Sequence, residues 1–169
     1  MSFFDDASLV FLPSGGAGKD GKAYSIKPVP VYGAELVTNG DFATDSDWTK
    51  GTGWSIANGY AESDGTTSNL DQTGVLTTGK TYKAKVTISN MTTGTLSYRI
   101  GSNSGDEVLN ITQNGTYTAY GVAGNSTIRF RSQSGFDGRV DNVSVKEVLV
   151  NGDFTFSRGS NLAATRVGP

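Results

Sequence analysis

The sequence predicts an all-β protein built on a β-sandwich, and three observations carry that prediction. Glycine is abundant, at 23 of 169 residues against only 4 prolines, and Ser and Thr crowd the chain, a composition suited to short strands joined by tight turns. From residue 34 to 148, short runs alternate apolar and polar residues, the period of a strand with one buried face. Asn-Gly, Thr-Gly or Ser-Gly separates those runs, which is the punctuation of a sandwich rather than of helices.

Residues 1–33, ending KAYSIKPVPVYG, mix an apolar patch at Leu9 to Leu12 with a Gly-rich turn at 14–18 and two close prolines, Pro28 and Pro30. Neither periodicity is sustained there, so an extended arm or hairpin is expected. GWSIANGYAES reads as a hairpin around Asn58-Gly59, the dipeptide best suited to a type I′ turn, and VLNITQNGTYTAY as a second around Asn114-Gly115. The clearest strand is TYKAKVTIS, with Tyr82, Ala84, Val86 and Ile88 on one face and Lys83, Lys85 and Thr87 on the other. The same alternation turns Leu96, Tyr98 and Ile100 inward with Arg99 outward, and Ile128 and Phe130 inward with Arg129 and Arg131 outward. GRVDNVSVKEV places Asp141, Val143 and Val145 on one face, so that an acid in need of a partner begins an inward row. Trp54, Tyr82, Tyr98 and Phe130 are expected in the core, between two antiparallel sheets of four or five strands each. After Val148 the chain turns to LVNGDFTFSRGSNLAATRVGP, expected to be a connector to something longer or an arm that orders only in an assembly.

The formal charge is −2, and Lys and Arg are spread singly, so no field exists to hold a nucleic-acid backbone. There is no His and no Cys, which removes the usual zinc ligands, the Ser-His and Cys-His pairs and any disulfide framework. No apolar run approaches the ~20 residues that span a bilayer, so membrane insertion is not expected. Glycoside hydrolysis would require two carboxylates converging across a cleft, and Asp64, Asp71, Asp106, Glu107 and Asp137 are expected in or near turns with nothing to pair them or perturb their pKa. SGGAGKD at 14–20 lacks the Gly-Lys-Ser/Thr ending of a phosphate loop. A catalytic role is not expected.

Two resemblances enter on particular strings. Residues 34–148, with NGDF early, GW next, GKTYKAKV midway and VDNVSV last, resemble the jelly-roll carbohydrate-binding modules attached to bacterial xylanases and endoglucanases, a galactose-binding-like sandwich. The flanks, MSFFDDASLVFLPSG with GKAYSIKP and GDFTFSRGSNLAATRVGP, resemble consecutive pieces of the opening segment of tailed-bacteriophage virion proteins. Asn-Gly-Asp-Phe occurs at 39–42 and again at 151–154. On these resemblances the first copy begins an inserted module and the second marks where the interrupted segment resumes. The expected organisation is an N-terminal docking arm over 1–33, a jelly roll over 34–148 and a C-terminal connector over 149–169.

The module resemblance implies a structural calcium where the first strand meets the last, held by an acid after NGDF, an acid at the start of DNVSV and backbone carbonyls. Asp141 matches one ligand position, Ala43 stands where a Glu is common, and Asp41 or Asp45 is the available substitute. Sugar binding needs a flat aromatic face and paired amides or acids, for which Trp48, Tyr120 and Phe136, with Gln133 nearby, are the candidates. Lys83, Lys85, Arg99, Arg129 and Arg131 form either a basic face suited to acidic polysaccharide or a solvated face that discourages edge pairing. The expected function is that of a homo-oligomeric virion component, a trimer if it is a fibre, assembled in the host cytoplasm and exposed on the particle. Its flanks would bind other virion proteins and its module a bacterial surface polysaccharide. The alternative is a purely structural decoration that binds no sugar.

Overall fold

In the computed structural model, residues 9–11, 24–26 and 30–150 are described. The chain divides into two compact units, residues 32–149 and the flanks 1–31 with 150–169. Within the flanking unit, β1 (Leu9–Phe11) and β2 (Tyr24–Ile26) pair antiparallel, Leu9 opposite Ile26. The remaining expectations for the arms, including the second Asn-Gly-Asp-Phe at 151–154, lie outside the described residues.

The central unit is all β, a jelly-roll sandwich. Its strands are β3 (Val31–Glu35), β4 (Thr49–Lys50), β5 (Trp54–Ala57), β6 (Tyr60–Asp64), β7 (Asn69–Gln72), β8 (Thr81–Ile100), β9 (Glu107–Ile111), β10 (Gly115–Val122) and β11 (Ile128–Val150). The only helical turn among the described residues is the short 3-10 segment Ser104–Asp106. The long strands β8 and β11 form the backbone of the fold. They pair antiparallel from Ile128 opposite Ile100 to Glu147 opposite Tyr82.

A straight 20-residue strand would run about 66 Å, far beyond a domain of this size, so the ribbon must bend. Positive φ at Asn90, Gly94, Ser134 and Gly135 and register shifts between Gln133 and Arg139 supply the bend. In one half of the ribbon β10 lies along residues 81–88 of β8, and β3 joins β11 on the far side. In the other half β9 lies along residues 96–99 of β8, β7 along residues 128–131 of β11, and β4 along β7. Between them β6 pairs with residues 137–140 of β11, and β5 with β6. The expected two separate sheets are thus one hydrogen-bonded network whose halves share their central strands.

The alternation places the core as expected. Tyr82, Ala84, Val86 and Ile88 join Leu96, Tyr98, Ile100, Ile128, Phe130, Val143 and Val145 in one buried cluster. Trp54 lies there too, 6.2 Å from the Phe136 ring. Asn58 and Gly59 both take positive φ in the β5–β6 hairpin, as a type I′ turn demands.

Three expectations are corrected. Asn114-Gly115 does not close a hairpin: β9 and β10 both pair with β8, at different stretches, so the connection carries the chain from one half of the ribbon to the other. Asp141 does not begin the inward row. A register shift follows it and Asn142 has φ 52°, so Val140 opposite Ile88 faces the core while Asp141 lies opposite the outward Thr87. Arg99 alternates outward between Tyr98 and Ile100, yet it is only 7% exposed.

The first Asn-Gly-Asp-Phe is a structural lock. Asn39 Nδ2 donates to the Thr44 and Ser46 carbonyls, and the Asn39 carbonyl accepts the Phe42 N–H. The Phe42 ring is fully buried. Gly40 accepts the Val143 N–H at 2.8 Å, and a Cβ there would fall 2.2 Å from the Val143 carbonyl oxygen, so only glycine lets this loop meet the last strand.

Candidate ligand-binding face

The four residues expected to contact sugar do not converge. Trp48 is interior, its ring 5.3 Å from Phe42 and 6.0 Å from Phe130, with Nε1 donating to the Asn39 carbonyl at 3.1 Å. The loop that buries Phe42 carries Trp48 in with it, and a ring covered on both sides cannot stack on a pyranose. Phe136 is fully buried against Trp54, and its carbonyl accepts from Ser63 Oγ at 2.9 Å. Both are corrected from tip residues to core. Tyr120 stays outside at 53% exposure, on β10 opposite Lys83. Its hydroxyl lies 2.8 Å from that of Tyr32, and Lys83 Nζ sits 4.7 Å from the Tyr32 ring centroid. Gln133 is half-buried on the other half of the ribbon, opposite Thr95.

The carboxylates expected to hold calcium are equally dispersed. Asp45 is ion-paired with Lys50. Asp141 accepts from the main-chain and side-chain amides of its neighbour Asn142. Asp41 is exposed and reaches only the Ala43 N–H, at 3.4 Å. Among the described residues no group of three or more His, Cys, Asp or Glu side chains is placed to hold a metal ion, so Asp41, Asp45 and Asp141 do not come together as one carboxylate cluster. The junction of first and last strands is closed instead by Glu35. Its Oε1 accepts from the Val145, Leu36 and Val37 amides at 2.7, 3.2 and 3.2 Å, and its Oε2 from Ser144 Oγ at 2.6 Å.

Other acids are committed in the same way. Asp71 pairs with Arg129, Glu62 with Arg139 and Glu147 with Lys80. Asp106 accepts the Asn103 N–H. The Thr66 amide holds the Asp64 carboxyl below the usual carboxylate range, the opposite of what a general acid needs.

The basic residues separate into two groups. Lys83 and Lys85 lie on the outer face beside β10, while Arg99, Arg129 and Arg131 lie on the outer face of the half that carries β9 and β7. There the register builds a polar row across four strands: Asn110 opposite Ser97, Ser97 opposite Arg131, and Arg131 opposite Asn69. The next row sets Arg99 opposite Arg129 and Arg129 opposite Asp71. Arg129 grips Asp71 through Nε at 2.8 Å and Nη2 at 2.6 Å and donates through Nη1 to the Ser102 carbonyl. The hydrogen bonds to Asp71 raise its pKa further above the ordinary arginine value.

Two groups on this face keep unfilled hydrogen-bonding capacity among the described residues. Asn69 Oδ1 is buried with no hydrogen bond. Gln72, on the opposite, inward face of the same strand, is by contrast satisfied at Thr38 and Asp47. Arg99 donates through Nε to Ser97 Oγ at 2.9 Å and makes no ion pair among the described residues. Asn69 and Ser97 carry no signal of their own in the sequence, and Asp71 reads there as an unpaired acid near a turn rather than as the partner of Arg129, although NLDQ already alternates Asn69 and Asp71 against Leu70 and Gln72.

No family model matches the chain, and no curated protein matches it. A solved structure described as "CBM4 structure and function" is similar over 65% of this chain and 98% of that chain, at 16% identity and a TM-score of 0.41.

Proposed function

We propose that this chain is a non-catalytic virion component of a tailed phage whose central jelly roll binds glycan on the host surface, while its flanks dock on other virion proteins. The glycan reading rests on one observation. The outer row Asn110–Ser97–Arg131–Asn69 is a strip of amide, hydroxyl and guanidinium groups containing a buried acceptor, Asn69 Oδ1, that no donor among the described residues satisfies. An orphaned buried acceptor costs free energy that a ligand hydroxyl recovers, and sugar hydroxyls supply both donors and acceptors. Weak contact at one module suffices where several copies on one particle act together.

The virion reading is supported by the flank strings MSFFDDASLVFLPSG and GDFTFSRGSNLAATRVGP. Such segments carry too few apolar groups to close a core alone, and ordering them costs roughly 1–2 kcal/mol per residue in backbone entropy. Contacts in a symmetric oligomer, a trimer in the case of a fibre, offset that cost. Host polysaccharides arrayed against the full chain test the first reading, with retention of at least one expected. Deletion of residues 1–33 tests the second: the truncated chain is expected to fold and to be missing from assembled particles.

A structural spacer that binds no sugar is the second reading. It is favoured by the burial of Trp48 and Phe136, which leaves neither ring as a platform. Silence across the array selects it.

A further inference from the structure

The least economical feature of the molecule is Arg99. It is 93% shielded from solvent by its place on the sheet, carries a permanent charge, and has no carboxylate within ion-pair distance among the described residues. Burying a cation without a counter-charge is destabilising, and proteins retain such groups where something else supplies the anion. Its Cα partner on β9, Glu107, forms no ion pair with it. Arg129 has its own acid, Asp71, and so does not compete for a ligand.

The hydrogen bond from Arg99 Nε to Ser97 Oγ draws the guanidinium toward the row in which Ser97 faces Arg131 and Arg131 faces Asn69. Nε is thereby spent, and the end-on pair Nη1 and Nη2 is left without a protein acceptor among the described residues. Arg131 on the neighbouring strand has no protein partner among the described residues either, and it adds a second positive charge to the row. Beyond it, Asn69 Oδ1 waits for a donor.

We infer that this face recognises an acidic sugar, with the carboxylate of a hexuronate residue accepting two parallel hydrogen bonds from Arg99, Arg131 contributing charge, and a ring hydroxyl of the same chain donating to Asn69 Oδ1. A planar two-oxygen anion matches a guanidinium fork, and a hydroxyl beside it answers the orphaned amide oxygen. The inference rests on the glycan-binding reading and names the chemical class of its ligand.

The test uses the full chain with polygalacturonate, alginate and hyaluronate, each beside its carboxyl-reduced, neutral counterpart, in affinity electrophoresis and calorimetry. Binding to at least one acidic polymer is expected, weakened about 10- to 100-fold by carboxyl reduction, as loss of a charge-assisted hydrogen-bond pair implies. Arg99→Gln is expected to weaken that binding to the same extent and to leave the melting temperature unchanged or raised, because an uncompensated cation has been removed. Lys85→Gln, on the other outer face, is expected to bind as the parent does. Equal binding of acidic and neutral forms, or full binding by a folded Arg99→Gln, overturns the carboxylate assignment and leaves glycan binding standing. Binding to no acidic polymer while a neutral one is retained does the same, and binding to no polysaccharide of either kind overturns both. Should Arg99→Gln fail to fold, Arg131→Gln, whose side chain makes no hydrogen bond or ion pair among the described residues, carries the same readout.

Discussion

Tyr98 and Phe130 stack across the β8–β11 ladder, directly opposite in register, with ring centroids 4.4 Å apart and planes 25° from parallel. Both are fully buried, and Phe130 also meets Trp48. This pair joins the two longest strands to the loop that follows the first Asn-Gly-Asp-Phe. Phe130→Ala removes one ring from that stack and leaves a cavity the ladder cannot close, so a loss of about 3–5 kcal/mol is expected in urea unfolding. A loss below about 1 kcal/mol would show that the ring does not carry the core.

The Tyr98 hydroxyl itself is buried without a hydrogen-bond partner among the described residues. Burial, with a lesser contribution from the charge of Glu35, pushes its phenol well above the ordinary value of 10.0. An acid whose folded pKa is raised binds its proton more tightly in the native state. The native state is therefore favoured below the unfolded value and loses that advantage as pH rises past about 10. Tyr98→Phe removes both the orphaned hydroxyl and the ionisation. We expect a gain of about 1 kcal/mol near neutrality and a shallower loss of stability above pH 10, read from denaturant midpoints across pH. A variant less stable than the parent would mean that the hydroxyl has a partner such as a buried water.

The strands of the central unit were legible because alternation is a local signal. Tyr82 through Ile88 show their inward face in the sequence itself, and the structure buries it. What could not be read depends on closure at long range. Trp48 and Phe136 lie in Gly- and Ser-rich stretches with no alternation, and they are interior because a loop and a bulge fold back onto strands far away in sequence. Asp141 was assigned the wrong face because the register shift after it resets the period, and nothing in VDNVSV marks that shift. Asn114-Gly115 has the chemistry of a turn, but turn chemistry does not name the strand that each arm will pair with, and here both arms chose β8. Alternation gave the direction of Arg99 correctly and its burial not at all, since an outward side chain on a bent sheet can still be shielded by its neighbours. The ligand-binding face was therefore half visible: its arginines were noticed, but the row with Ser97 and Asn69 is a product of register.

Glu35 holds the entry strand to the exit strand. With four donors on one carboxylate, it satisfies the Val145 amide and the Ser144 hydroxyl of β11 while tightening its own turn at Leu36 and Val37. Glu35→Ala leaves these donors to water at an exposed edge, and a loss of about 1–2 kcal/mol is expected, with Glu35→Gln intermediate because one amide oxygen remains. Faster hydrogen exchange at the Val145 amide should accompany it. Unchanged stability and exchange in both variants would show that the backbone pairing of β3 with β11 alone closes the fold.

The same junction decides the effect of calcium. The Glu35 carboxylate is already saturated by protein donors, Asp141 is bonded to Asn142, and Asp45 is neutralised by Lys50. To reach the six to eight oxygens that calcium takes, the chain would have to break several of these bonds and bring together acids now apart. Melting curves in millimolar calcium and in chelator are therefore expected to coincide. A site occupied at 100 times its Kd would stabilise the fold by about 2.7 kcal/mol, a shift of several degrees that is easily seen. If that shift appears in the parent and disappears in Asp141→Asn, Asp141 exchanges its Asn142 contacts for a metal, and the junction is held by calcium together with Glu35 rather than by Glu35 alone.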